Sequence, residues 1–300
     1  MRKIIANIDP ALIEAELTPE RLLRRTARGG NEIYVVDAHC APNTMRELGR
    51  LREIAFRCSG GGTGKECDID EFDTMNPPCR QLLVWNPQEH CIIGGYRFIH
   101  GKDIVLENDV PRIATSHMFH FSEQFIKDYL PYTIELGRSF VRLEYQATAT
   151  AHDAIRAIFA LDNLWDGLAA LTNVYDDVRY FFGKVTMYPQ YPTDCRDMIL
   201  GFLYHYFPDA EALVRPIKPL SANLIAPTYG DNFSADYAAL RQEINHRGSA
   251  IPPLVNAYMT LSPKMRFFGT AINTEFGNVE ESGILIPIQD INPDKLARHL

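Results

Sequence analysis

The chain has 300 residues, of which 46% are hydrophobic, 11% aromatic and 23% charged, a balance that can bury a sizeable core and excludes a disordered or fibrous protein. Its formal net charge of −8 excludes a nucleic-acid binder that relies on overall attraction to phosphate. No stretch approaches the roughly 20 apolar residues of a spanning helix, no signal peptide is expected at the N-terminus, and the cysteines (Cys40, Cys58, Cys67, Cys79, Cys91, Cys195) form no CxxC pair, so they are read as reduced cytosolic thiols with no metal site.

Thr18-Pro19-Glu20 reads as a helix start, with Thr18 as N-cap and Pro19 at the first helical position, and the helix is expected to end at Gly29-Gly30. It would carry Arg21, Arg24, Arg25 and Arg28, and residues 1–30 are expected to form a helical arm ahead of a main domain at 31–300. Glu32 to Val36 reads as a strand and Asn43 to about Arg57 as a helix. A glycine-rich loop, Ser59 to Gly64, leads into an acidic stretch ending at Asp73. Gln81–Trp85 and Cys91–Ile99 read as a hairpin, and Ile134–Tyr145 contains a strand on which Val141, Leu143 and Tyr145 alternate. Ala151–Thr172 has helical periodicity, Phe181–Tyr188 is a strand, and Asp194 caps a helix to Phe207. Pro208–Gly248 is not readable as a pattern, and Val255–Leu261 with Gly283–Ile288 is expected to be a final strand pair. A hairpin-rich mixed sheet with helices on its faces is an α/β, layered α+β fold.

Arg52 lies on the apolar side of the helix at 43–57, four residues before Phe56. A buried arginine needs an anionic partner, and Asp68, Asp70, Glu71 and Asp73 supply candidates; a structural salt bridge and a functional role weigh equally. The glycine loop fails as a P-loop, since Ser59 stands at its first glycine position and Glu66 follows Gly64-Lys65; a mobile lid is the alternative. Glu135 and Arg138, three apart at a strand, fit an ion pair or a base with a positioning cation. The nine histidines show no metal-ligand spacing, and there is no Gly-x-Ser-x-Gly elbow.

Leu51-Arg52 with Phe56, Asp70-Glu71-Phe72-Asp73, Gly95-Tyr96-Arg97 and Glu135-Leu136-Gly137-Arg138 occur in one order. That order resembles the acyl-carrier-protein-dependent branch of the GNAT superfamily, which holds the acyl-homoserine-lactone synthases and the hemolysin-like ornithine-lipid and glycine-lipid N-acyltransferases. Leu164-Trp165-Asp166-Gly167-Leu168, Phe182-Gly183-Lys184-Val185, Ile251-Pro252-Pro253-Leu254 and Asn273-Thr274-Glu275-Phe276 are similar to later motifs of the lipid-forming group. The resemblance implies a GNAT fold and an N-acyltransferase that moves a long, optionally 3-hydroxylated acyl chain from acyl carrier protein to the amine of a small amino acid, glycine or ornithine, in aminolipid biosynthesis. It implies Glu135 and Arg138 as catalytic residues and Arg52, Phe56, Asp70, Asp73 and Arg97 as substrate-binding residues. The carboxylate of such an amino acid suits a bidentate arginine, Arg97 or Arg52. The resemblance implies no permanently bound cofactor and no metal; the co-substrate is the phosphopantetheine thioester of acyl carrier protein, with CoA as the alternative. The partners implied are acyl carrier protein and the small amino acid, with no nucleic acid; the location is cytoplasmic, with peripheral contact to the inner membrane left open. An acetyl-CoA-dependent GNAT acetyltransferase would need a glycine turn where this chain reads Gln146-Ala147-Thr148-Ala149-Thr150-Ala151. An autoinducer synthase would leave the C-terminal portion unexplained, and a non-enzymatic membrane-associated protein would need a strong amphipathic segment.

Overall fold

The computed structural model describes residues 1–146, 151–224 and 229–296. The chain divides into two compact units. The first comprises Met1–Val105, Ile134–Val178 and the residues from Pro293 onward, and the second comprises Leu106–Thr133 and Arg179–Asn292.

In the first unit, α1 (Pro10–Glu16) is capped by Asp9, whose carboxylate accepts from the Ala11 N–H. The long helix expected after Thr18 does not form. Pro19–Arg21 makes one 3₁₀ turn, and Leu22–Arg25 is a strand, β1. The start signal is genuine, but β1 is held in a ladder against β2 (Glu32–Val36), with Arg24 opposite Ile33 and Arg25 opposite Glu32. Sheet pairing thus overrides the local helix preference. The helix α2 (Pro42–Cys58) forms as its spacing predicts. A short helix, α3 (Glu71–Thr74), follows, capped by Asp70. Then come β3 (Arg80–Asn86), β4 (Cys91–His100) and β5 (Thr133–Val141). The order β1-β2-β3-β4-β5 is antiparallel throughout. β5 stops at Val141; Leu143–Tyr145 is a 3₁₀ turn rather than the strand continuation its alternation suggests.

The helix α4 (Ala151–Val174) lies on the sheet face that carries Leu82. A side chain at Gly167 would come within 2.7 Å of Leu82 Cδ2, so this glycine sets how closely α4 approaches. Gln81, next to Leu82, points to the opposite face, where it meets Arg52 of α2.

The second unit contains β6 (Tyr180–Met187), α5 (Thr193–Tyr206), α6 (Phe233–His246), α7 (Pro253–Met259), β7 (Arg266–Asn273) and β8 (Val279–Pro287). Antiparallel β8 stands between β6 and β7. Val255–Leu261 is therefore not the partner of the last strand. Pro253 opens a helix there, and Val255, Tyr258 and Met259 are buried at helical spacing. Asp194 lies inside the first turn of α5, after Pro192 at the cap, and accepts from the Cys195 N–H.

Candidate active site

Three arginines and three aspartates meet on the α2 face of the first unit. Arg52 projects from α2 at 1% exposure; its Nη1 lies 3.4 Å from Asp73 Oδ1 and its Nη2 donates to Gln81 Oε1. Gln81 Nε2 in turn donates to Asp73 Oδ1 at 3.0 Å. Gln81 is paired with Arg97 across β3 and β4, and Arg97 with Gly137 across β4 and β5. Paired residues of an antiparallel ladder share a face, so all three side-chain positions stand beneath α2. Arg97 Nη1 is 2.6 Å from Asp70 Oδ1 and 3.4 Å from Asp73 Oδ2, and its guanidinium lies over the Phe72 ring.

The short helix α3 fixes the two aspartates. Asp70 caps it by accepting from the Phe72 and Asp73 N–H groups at 3.0 and 3.3 Å, while Asp73 Oδ2 accepts from the Asp70 N–H at 3.1 Å. This reciprocal cap engages one oxygen of each carboxylate and fixes the direction in which both face the arginines. Asp68 is positioned upstream by its N–H, which donates to the Gly49 carbonyl of α2; a side chain at Gly49 would strike Cys67 Sγ at 2.6 Å.

Arg138 arrives through a β-bulge. The register passes from Gly95 opposite Phe140 to Arg97 opposite Gly137, so Arg138 and Ser139 together face Tyr96. Arg138 takes the left-handed conformation, φ 49°, which costs a non-glycine residue about 1–2 kcal/mol. The bulge re-aims its side chain, and Nε reaches Asp68 Oδ2 at 2.8 Å while Nη2 reaches Asp70 Oδ2 at 3.2 Å.

The charges hold one another ionised. Burial pushes the Asp70 carboxyl up, but Arg97, Arg138 and Arg52 together hold it well below the usual carboxylate range. Burial opposes the charge on Arg97, and Asp73 and Asp70 more than restore it; Asp68 and Asp70 do the same for Arg138. Cys79, buried beside these groups, is pushed up to about 12 by burial, against Arg97 and with Glu135, Asp73 and Asp70. Three buried polar atoms of the network remain without partners among the described residues: Arg52 Nε, Arg97 Nε and Asp68 Oδ1.

Five of the residues singled out from sequence, Arg52, Asp70, Asp73, Arg97 and Arg138, are joined in this one network. Glu135 is buried on the same sheet face, two residues before Gly137 and paired with Ile99. Phe56 is buried one turn beyond Arg52 on α2. Arg97 and Arg52, the bidentate candidates for a substrate carboxylate, both have guanidinium nitrogens engaged here, Arg97 by Asp70 and Asp73 and Arg52 by Asp73 and Gln81. Sequence reasoning does not single out Gln81, Cys79 or Gly137. For Gln81 the available signal is one amide directly before the apolar run Leu82–Trp85.

The glycine loop is pinned rather than loose at its far end. Buried Glu53 accepts from the Thr63 N–H, the Thr63 hydroxyl and the Gly64 N–H at 3.1, 2.8 and 2.7 Å, and from Arg57 Nε at 2.7 Å. Most of the turn at Gln146–Ala151, which bears on CoA pyrophosphate binding, lies outside the described residues. Among the described residues no helix is long and apolar enough to cross a membrane.

The acetyltransferase (GNAT) domain family matches residues 51–155, a stretch that contains all seven residues singled out above. The chain is 56% identical over 306 residues to a glycine N(alpha)-acyltransferase of Bacteroides thetaiotaomicron, covering 100% of this chain and 90% of that protein. It is 53% identical over 309 residues to a glycine N(alpha)-acyltransferase of Phocaeicola vulgatus, covering 100% and 93%. A solved CoA-dependent acyl-homoserine lactone synthase, BjaI with SAM and isopentyl-CoA, aligns at 10% identity and a TM-score of 0.39 over 89% of this chain and 87% of that one. On its full-length identity to two curated relatives, the chain belongs to the GNAT acyltransferases and is an N-acyltransferase, passing an acyl group to an amine.

Proposed function

We propose that the acceptor is the α-amine of glycine and that the donor is a long acyl chain carried on acyl carrier protein, so that the product is an N-acyl amino acid of the aminolipid type. The carrying observation is the 56% identity, over the whole chain, to a protein named for glycine acylation. The ordered motifs shared with the carrier-protein-dependent branch support the donor. An amphiphilic product suits an enzyme that works in the cytoplasm against the membrane surface.

The chemistry assigns roles. Glycine must lose a proton before it can attack, and Glu135, buried on the α2 face, accepts it directly or through one water. The freed nitrogen attacks the thioester carbonyl carbon. As the C–N bond forms and the C–S bond breaks, the proton held by Glu135 passes to the departing thiolate. Arg138 and Arg97, held by Asp68, Asp70 and Asp73, supply fixed positive charge beside the reacting groups. Arg52 and Phe56 form the α2 wall of the site.

Purified enzyme given a long-chain acyl carrier protein thioester and glycine should exceed its kcat/KM with acetyl-CoA, or with ornithine as acceptor, by about tenfold or more. Faster turnover of acetyl-CoA would overturn the donor assignment, and preference for ornithine the acceptor. In the same assay Glu135→Gln should lower kcat by about 10²–10⁴-fold with its thermal midpoint unchanged. A folded variant at near-full activity would return Glu135 to a structural role.

A further inference from the structure

The ionic network leaves one of its donors beside an opening. Arg97 is 1% exposed and its Nη1 is shared by Asp70 and Asp73, yet its Nε has no partner among the described residues. A buried N–H without an acceptor bears the full loss of its hydration, so something that accepts a hydrogen bond belongs there.

Directly across the ladder stands Gly137, which is half-buried. Among the described residues, a Cβ built on Gly137 would meet a single atom within 4 Å, Arg97 Nε, at 4.0 Å. Its backbone is not left-handed, so conformation does not demand glycine there. The glycines of the neighbouring strand are different. At Gly94 and Gly95 a Cβ would strike the Phe140 and Leu82 carbonyl oxygens at 2.5 and 2.6 Å, so packing excludes any side chain. Neither packing against the described residues nor backbone geometry explains a glycine at 137. The bare backbone leaves space, and the unmatched donor of Arg97 adjoins that space. Glu135 stands two residues along β5 on the same face.

We propose that Arg97 Nε and the open backbone at Gly137 seat the carboxylate of the amino-acid acceptor, with Glu135 at its amine end. The inference rests on the reading of glycine as acceptor and deepens it. A zwitterion gives Arg97 Nε the acceptor it lacks while its ammonium faces the Glu135 carboxylate, and it brings no net charge into a network already balanced among its arginines and aspartates. Gly137 is then a specificity-determining position, because any side chain there occupies the carboxylate's seat.

Two measurements test this at saturating acyl donor. Wild-type enzyme should use glycinamide, which keeps the amine but lacks the carboxylate, with kcat/KM lower than for glycine by about tenfold or more, although the less basic amine of glycinamide is more often neutral. Gly137→Ala should raise KM for glycine by about tenfold or more while kcat and KM for the acyl donor stay within about threefold, with the thermal midpoint unchanged, and its preference for glycine over glycinamide should shrink. Equal use of glycine and glycinamide by the wild type would overturn the inference even if the variant did not fold. So would a folded Gly137→Ala with unaltered KM for glycine; both results leave glycine acylation standing. A wild-type enzyme that does not acylate glycine would overturn the functional reading and this inference with it.

Discussion

Each unit of the molecule buries an ionic network, and the two are finished differently. In the first, Arg52, Arg97 and Arg138 meet Asp68, Asp70 and Asp73 beneath α2, and three polar atoms stay unmatched among the described residues. In the second, Lys184 of β6 pairs with Glu281 of β8 at 2.7 Å, and Asn273 and Thr186 donate to the same carboxylate at 3.1 and 3.4 Å. On the other face of β8, Arg196 of α5 joins Glu280 and its own neighbour Asp197. Among the described residues, none of these side chains has a buried polar atom left without a partner. A network that closes on itself holds strands in register. One that keeps donors and an acceptor unmatched, at about 1–3 kcal/mol each, is arranged for something that completes it.

Asp73 holds the most of the first network. Its two oxygens serve Arg52, Gln81, Arg97 and the Asp70 N–H. Asp73→Ala takes from Arg52 its ion-pair partner and leaves Arg97 with Asp70 alone, both arginines being 1% exposed, and should cost about 3–5 kcal/mol, read as a lower denaturant midpoint at unchanged slope. Asp73→Asn keeps an acceptor for Gln81 and should cost less. A loss of under about 1 kcal/mol for the alanine variant, the size expected of a solvated pair, would mean that water reaches the cluster and that its unmatched atoms signify nothing.

Much of this first network is legible in the amino-acid sequence. Arg52 falls on the apolar side of an amphipathic helix, so a buried cation follows from periodicity, and Asp68, Asp70, Glu71 and Asp73 stand in the next acidic stretch as candidate partners; which of them pair with it does not follow. What is not legible depends on contacts distant in sequence. Gln81 faces Arg52 only because β3 passes under α2. Arg138 shares the face of Gly137 only because a bulge interrupts the alternation that would have sent it to the other side. Gly137 carries no side chain, and the space above it exists only in three dimensions. The two elements whose local signals mislead have the same origin. Leu22–Arg25 follows a true helix start but is claimed by β2. Val255–Met259 carries two residues that suit a strand, Val255 and Tyr258, yet Pro253 starts a helix and its buried positions recur at three and four.

The smallest expected effect lies in the second unit, where the network is closed. Lys184 and Glu281 hold each other at 10% and 7% side-chain exposure. Removing only one of them would leave a poorly solvated charge, so a single variant overstates what the pair contributes. Replacing both together, Lys184→Met with Glu281→Leu, keeps approximate volume and removes both charges at once. Two groups lose their acceptor, the Asn273 amide and the Thr186 hydroxyl, but both residues are only half-buried and water can take its place. Desolvation and Coulomb gain nearly cancel for such a pair, so the double variant should differ from the parent by no more than about 1 kcal/mol. Its kcat and its KM for both substrates should be unchanged. If the double variant folds normally yet loses activity, Lys184 or Glu281 acts on substrate, and a closed network is no mark of a purely structural one.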